Sequence, residues 1–512
     1  MVEETFTLQA WAASQNDAYT RLTETHQNLS FLSPLHIFQS YINDKSVCFP
    51  NDLDMEPNPY VIRNLKSWKS LQESIRGFLA IQPTLLGFAL SHLLCQRLPL
   101  QSTGRFLLEF VLTAVPTVVF NTVGSKYSDV YCGLVALVII LQLRYSKFWQ
   151  KIPKNWMYKV GKRPAVFTLL RSTAYTGTCC GILAVDFLSY PVEYRKSRTF
   201  GASVMDMGIG LFVVTMGMVS HRTRNLSDLK KLAKVVGPLM VLGLARTIVI
   251  SMIDYSQDEH EYGKHLNAFF TLGLTKLLGS LLSLLAANDG QLLYLGGGLL
   301  ILHEVVLQLG LSDFVMSEMV YRKDFFRANR EGLSSLPGCI ALYLLSIYFA
   351  KWYTSQESLT FEGILSKFKK MIILIFGGWL IVILSAFTIG IARVTFSSGY
   401  VVWIFTICVT LILIYGILFE FAWADISPPP DLLLGEGDRA VLANNSLPAV
   451  VETLNMNGLC HFMLSNLLTG FVNIFLQPKE RNGLESVLIL SIYMLASTTV
   501  VYILYRNRIR IA

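Results

Sequence analysis

Residues 182–210 read ILAVDFLSYPVEYRKSRTFGASVMDMGIG. An apolar run ends at Asp186, a short loop carries Arg195, Lys196 and Arg198, and a second apolar run opens with Asp206 in its first turns. Charge at the mouth of a membrane span is costly unless it is paired, hydrated or used. Two span-end carboxylates and three loop cations crowd this one mouth.

The rest of the chain is consistent with that setting. Its 512 residues are 53% hydrophobic and only 15% charged, with a mean hydropathy of +0.47. Soluble domains carry about a quarter charged residues. The deficit and the repeated long apolar runs define a polytopic membrane protein. The runs are continuous, whereas barrel strands alternate over about ten residues, so the expected fold is an all-α helical bundle. Runs near 77–95, 106–124, 127–143, 165–187, 203–220, 235–253, 266–287, 291–312, 333–353, 370–392, 399–422, 456–476 and 486–505 make about thirteen transmembrane helices, each close to the ~20 residues a bilayer needs. Residues 1–75 form a polar N-terminal extension, and 76–512 form the multi-span domain. Within it, 423–455 is expected to be a long cytosolic loop, a linker with Pro428, Pro429 and Pro430. No cleavable leader is expected, because the first apolar run comes late.

Loop charge sets the orientation. The loops at 144–163 and 221–234 and the tail with Arg506, Arg508 and Arg510 are rich in lysine and arginine. The positive-inside rule assigns all three to the cytosol. The N-terminus, with its Asn28 sequon, then lies on the far side, as do the loops at 188–202, 254–265, 313–332, 393–398 and 477–485. The net charge of +8 suits anionic lipid surfaces. The eight cysteines form no CxxC pair and read as small core residues. No metal centre, nucleic-acid motif, hydrolase elbow, Walker motif or HExxH is present.

Polar residues inside or at the ends of spans mark a pathway, a site or an internal ion pair. Here they are Arg171, Asp186, Asp206, Arg246, Lys276, His303 and Glu304. The far-side loops add Arg195, Lys196 and Arg198, the DYSQDEHEYGKH segment with His260 and His265, and Asn329 and Arg330. Two of these loops are basic on the side where cations are disfavoured, which suits a phosphate-bearing lipid headgroup. Ser465, Asn466, Thr469 and Asn473 line the neighbouring span. Residue chemistry alone thus reaches a charged cavity facing away from the cytosol, as in a lipid-modifying enzyme or a transporter.

From about Arg105 onward the chain resembles the inositol acyltransferases of glycosylphosphatidylinositol-anchor synthesis, called PIG-W in animals and the anchored-wall-transfer protein in fungi. The landmarks occur in order: RFLLEFVLTAVP from Arg105, Arg171 before ILAVDF, Lys196 ten residues after Asp186, MDMGIG around Asp206, GLAR at 243–246, EYGKH and NAFFT before Lys276, ANREG at 328–332 and SNLLTGFVN at 465–473. The chain departs from the family where Val192 and Glu193 replace two arginines, where Asp258 replaces a histidine, and at Leu266 and Gly458.

The resemblance implies transfer of an acyl chain from acyl-CoA, a co-substrate with no bound cofactor, to an inositol hydroxyl of glucosaminyl-phosphatidylinositol. It places the protein in the endoplasmic reticulum membrane, N-terminus lumenal and C-terminus cytosolic. It also points to Asp186 and Lys196 as the catalytic pair. An inositol hydroxyl is a poor nucleophile at neutral pH, and Asp186 at a partly dehydrated span end suits a general base. Lys196 has three open roles: orienting Asp186, binding lipid phosphate, or stabilising the oxyanion. Arg195, Arg198, Asn329 and Arg330 are candidates for phosphate, glucosamine or CoA contact. Asp206, Arg246, Lys276 and Asn466 are candidates for lining the cavity, and His260 and His265 are alternative bases. The competing readings are a lipid or anionic-solute transporter and a non-catalytic scaffold.

Overall fold

Without water, a helix in hydrocarbon must satisfy its backbone internally, and each apolar run of this chain forms one. The computed structural model describes residues 68–95, 98–99, 102–146, 157–160, 164–252, 259–317, 321–356, 358–423 and 447–511. The extension up to residue 67, with Asn28 and Cys48, lies outside the described residues, as do Asp258 and most of the 423–455 linker. The described residues belong to one contact unit, 58–512.

In chain order the helices are α1 (Trp68–Ala80), α2 (Gln82–Cys95), α3 (Thr103–Phe120), α4 (Ser128–Tyr145), α5 (Ala165–Ala184), α6 (Met207–Met218), α7 (Leu226–Met252), α8 (Ala268–Ser283) and α9 (Gln291–Val306). Short α10 (Ser312–Met316) and α11 (Phe325–Ala328) lead to α12 (Arg330–Tyr353), α13 (Phe361–Phe387), α14 (Ser398–Tyr415), α15 (Ala449–Phe475) and α16 (Gly483–Arg506). A short antiparallel pair, Met157–Lys159 with Ser358–Thr360, joins two loops. The protein is all-α and polytopic.

Among the described residues, ten helices are long and apolar enough to cross a membrane. The thirteen expected runs all coincide with helices, but three fall short of that criterion. Helix α6 has 12 residues and α8 has 16, while α5 carries Arg171 and several hydroxyl residues. Residues 203–206 and 284–287, counted in spans by hydropathy, are turns or loop.

Helices α5 and α6 are central. Helix α5 packs on α6, α14 and α15, and α6 packs on α12 and α14. Gly217 makes the α6–α12 crossing possible: a Cβ there would sit 2.6 Å from the Ser346 Cβ and 2.9 Å from the Tyr343 carbonyl oxygen. Buried hydroxyls fold back onto their own helices, as Thr113 does to the Glu109 carbonyl (2.7 Å) and Ser346 to that of Leu342 (2.7 Å). Such back-bonding satisfies a hydroxyl without a partner helix. The α5–α6 connection, residues 185–206, is therefore held between the most enclosed helices of the bundle.

Candidate active site

Helix α5 ends at Ala184, and Asp186 lies in the turn beyond it. Its carboxylate accepts a hydrogen bond from the Asn473 side-chain amide at 2.9 Å. Burial lifts the Asp186 carboxyl above the usual carboxylate range, against the Asn473 bond and the charges of Lys196, Lys479 and Arg195. A carboxylate poised in this way is a better proton acceptor than a solvated one.

Lys196 does not bond Asp186. Its ammonium donates to the Glu261 carboxylate, across 65 residues of sequence. Both partners line a cavity of about 220 Å³, and so do Arg246 and Asn466. The remaining walls are largely apolar, with Ile182, Leu211, Phe212, Phe269, Leu272 and Phe462. An apolar chamber with a few placed polar groups is the usual form of a small-ligand site. Val185, next to Asp186, lines it too. Among the described residues no carboxylate pairs with the Arg246 guanidinium that faces this chamber.

Beneath the Lys196–Glu261 pair lies a clasp centred on Asp206. This side chain is fully buried. It accepts from the hydroxyls of Ser197 and Ser203, both at 2.8 Å, and from the Arg393 Nε at 3.0 Å. The Tyr400 hydroxyl donates to the Asp206 carbonyl at 2.6 Å. Ser197 adjoins Lys196. The Arg393 guanidinium lies 5.7 Å from the centre of the Tyr262 ring, and Tyr262 adjoins Glu261. Asp206 and Arg393 thus anchor both backbone segments that bring Lys196 and Glu261 together. Gly201 adds a backbone bond to Ile391, 2.8 Å.

The EYGKH segment docks on ANREG. The Asn329 side chain accepts from the backbone N–H groups of His265 (2.8 Å) and Leu266 (3.2 Å). Its amide donates to the Phe325 carbonyl (2.8 Å) and faces the His265 Nδ1 at 3.1 Å. The Lys264 N–H donates to the Ala328 carbonyl at 2.8 Å. Gly263 has φ +96°, and a Cβ there would lie 2.4 Å from the Asn329 Cα. Gly263→Val should therefore lower stability by about 1–3 kcal/mol, the usual range for a forced left-handed residue. A thermal melt in detergent checks this, and an unchanged midpoint would show that the docking is not tight.

The other site residues named from sequence are distributed around this core. Arg330 is buried and donates to the carbonyls of Val315 (3.0 Å) and Ser317 (2.7 Å). It begins a row of charges, Arg330–Glu331–Arg322–Glu259, with contacts of 3.4, 2.6 and 3.0 Å. His265 is exposed and stacks near Phe325. Arg195, Arg198 and His260 are half-buried and make contacts of their own with the protein. Lys276 lies elsewhere: its ammonium donates to the hydroxyls of Ser220 and Tyr343 (2.9 Å). His303 meets the segment before α14 at the Thr395 carbonyl, and Glu304 meets the first residue of α14 at the Ser398 N–H, both 2.8 Å.

Two pairings escaped sequence reading, although Asn473 stands among the polar residues noted in its span. Glu261 opens the EYGKH motif, but nothing local ties it to Lys196. Asn473 follows Asn466 by seven residues, two helical turns along one face, and that spacing was the available signal.

The fold and this site define a multi-pass membrane protein with a carboxylate and an ion pair set beside an apolar chamber. The GWT1 family model matches residues 70–504. The chain belongs to this family. It is 28% identical over 474 residues to the GPI-anchored wall transfer protein 1 of Candida albicans, covering 83% of this chain and 93% of that one. It is 26% identical over 446 residues to the mouse glucosaminyl-phosphatidylinositol-acyltransferase PIGW, covering 78% and 87%. An uncharacterised Arabidopsis thaliana protein is 27% identical over 398 residues, covering 77% and 85%.

Proposed function

We propose that this chain transfers a fatty acyl group to the inositol ring of glucosaminyl-phosphatidylinositol during GPI-anchor synthesis. The donor is acyl-CoA and the setting is the endoplasmic reticulum membrane. The bundle has thirteen spans, with the active site and N-terminus lumenal and the C-terminus cytosolic. The names of the family relatives support the reaction. The observation that carries the mechanism is the separation of Asp186 from Lys196 by the Lys196–Glu261 pair.

In this mechanism Asp186 takes the proton of an inositol hydroxyl as its oxygen attacks the thioester carbonyl. The tetrahedral oxyanion collapses, the C–S bond breaks, and the CoA thiolate leaves to be protonated. A direct Lys196–Asp186 pair would lower the carboxyl's pKa and weaken the base. Glu261 holds the ammonium, so Lys196 faces the chamber as an electrostatic stabiliser while Asp186 stays basic. Arg246, with no carboxylate partner among the described residues, suits the lipid phosphate. Asn466 contributes a polar contact, and the apolar walls take the acyl chain. Asp206, Asn329 and Arg330 position the loops.

This assignment has a pH signature. The base must be ionised to act, so activity falls as pH drops through the raised Asp186 value. In Glu261→Gln the lysine charge is released and draws the Asp186 value down. The acid limb of the rate profile should then move to lower pH, with a reduced plateau. Acyl transfer from labelled acyl-CoA in membranes, followed across pH, tests it. An unmoved acid limb would separate Glu261 from the base.

A further inference from the structure

A second cavity, about 270 Å³, lies at the opposite end of α5 and α6, the end from which the basic loops leave. Its walls include Arg171, His221, Lys351 and Arg510, and among the described residues neither aspartate nor glutamate lines it. The four basic residues come from four separate parts of the chain: α5, the segment after α6, the last turn of α12, and the segment after α16. Arg171 is held by a bond to the Asn455 side chain, 2.8 Å. Ser220, also in the wall, accepts from the ammonium of Lys276. Lys276 is only 8% exposed, and its other partner is the neutral Tyr343 hydroxyl at 2.9 Å. Among the described residues no carboxylate pairs with Lys276, Lys351 or Arg510. A buried cation without a counter-ion is expensive. Converging cations around an open polar space recover that cost when an anion enters, and arginine with lysine suits phosphate.

We infer that this second cavity binds a phosphate-bearing ligand, at a site separate from the Asp186 chamber. Two sources carry that chemistry: a soluble nucleotide phosphate such as that of CoA, and an anionic phospholipid headgroup of the adjacent leaflet. The site does not depend on the transfer reaction proposed above.

The test uses the full chain in nanodiscs. One arm titrates adenosine 3′,5′-bisphosphate, which lacks the acyl-bearing arm, into neutral phosphatidylcholine nanodiscs. The other exposes the protein to phosphatidic acid and reads retained lipid by native mass spectrometry. Either probe should bind in a salt-sensitive manner. Binding should weaken at least about tenfold in the double variant Lys351→Gln, Arg510→Gln, as expected for lost charge-assisted bonds. It should persist in Asp186→Asn, which places it outside the catalytic chamber. Binding by the bisphosphate alone assigns a nucleotide ligand, and by the lipid alone a headgroup. Loss of the melting transition in the double variant directs the comparison to Lys351→Gln alone. Equal affinity in the folded variant, loss of binding in Asp186→Asn, or no binding by either probe overturns the inference.

Discussion

Asp186→Asn should lower inositol acylation by roughly 10²–10⁴-fold, the usual contribution of a positioned general base. The substitution keeps the shape and one acceptor for the Asn473 amide, which bonds this side chain at 2.9 Å. Folding should therefore survive, with protein level and melting midpoint close to wild type. The measurement is label transfer from acyl-CoA to glucosaminyl-phosphatidylinositol in membranes at matched protein levels. Label lost only in the variant supports the base assignment. Label equal in both keeps the enzyme and removes Asp186 from its mechanism. Label absent from folded wild type would move the assignment to a transporter or scaffold.

Asp206→Ala should act in the opposite way, on the fold before the chemistry. The wild-type carboxylate is fully buried and bonds Ser197, Ser203 and Arg393. Removing it strands the Arg393 guanidinium, itself 4% exposed, and the Ser203 hydroxyl, while Ser197 keeps a 3.3 Å bond to the Gly201 carbonyl. Breaking a buried pair from one side costs about 3–5 kcal/mol. The expected result is a large fall in melting midpoint in detergent, with activity lost in proportion to folded protein. Adding Arg393→Met to Asp206→Ala should recover part of the loss, because no unpaired charge then remains. A wild-type midpoint in the single variant would show that the clasp is not structural. The contrast matters because Asp186 and Asp206 lie in one stretch and look alike in sequence. One meets an amide beside a chamber; the other is saturated by the protein.

The all-α bundle was legible because hydrocarbon leaves a continuous apolar run no alternative to a helix. Each such run, from 77–95 to 486–505, meets one in the structure. Their lengths were less legible. Residues 203–206 are apolar enough to count as span, yet Ser203 and Asp206 close a turn through a side-chain bond that hydropathy does not register. The same limit applies to α8, which stops at Ser283 before the turn at 284–286.

The candidate site divides along the same line. Asp186 and Lys196 stood out because a carboxylate and cations at a span end are costly wherever the helices pack, and their ten-residue separation makes them neighbours through the loop alone. That local nearness also made a direct pair look natural. The partners are remote instead: Glu261 lies 65 residues from Lys196, and Asn473 lies 287 from Asp186. Sequence by itself determined the helical membrane bundle, the family and the charged mouth, since these follow from composition, run length and ordered motifs. Only the tertiary structure decided which carboxylate holds Lys196, which asparagine meets Asp186, and that Asp206 is a clasp. Ion pairing depends on a few ångströms between side chains, and helix packing alone sets those distances for residues far apart in the chain.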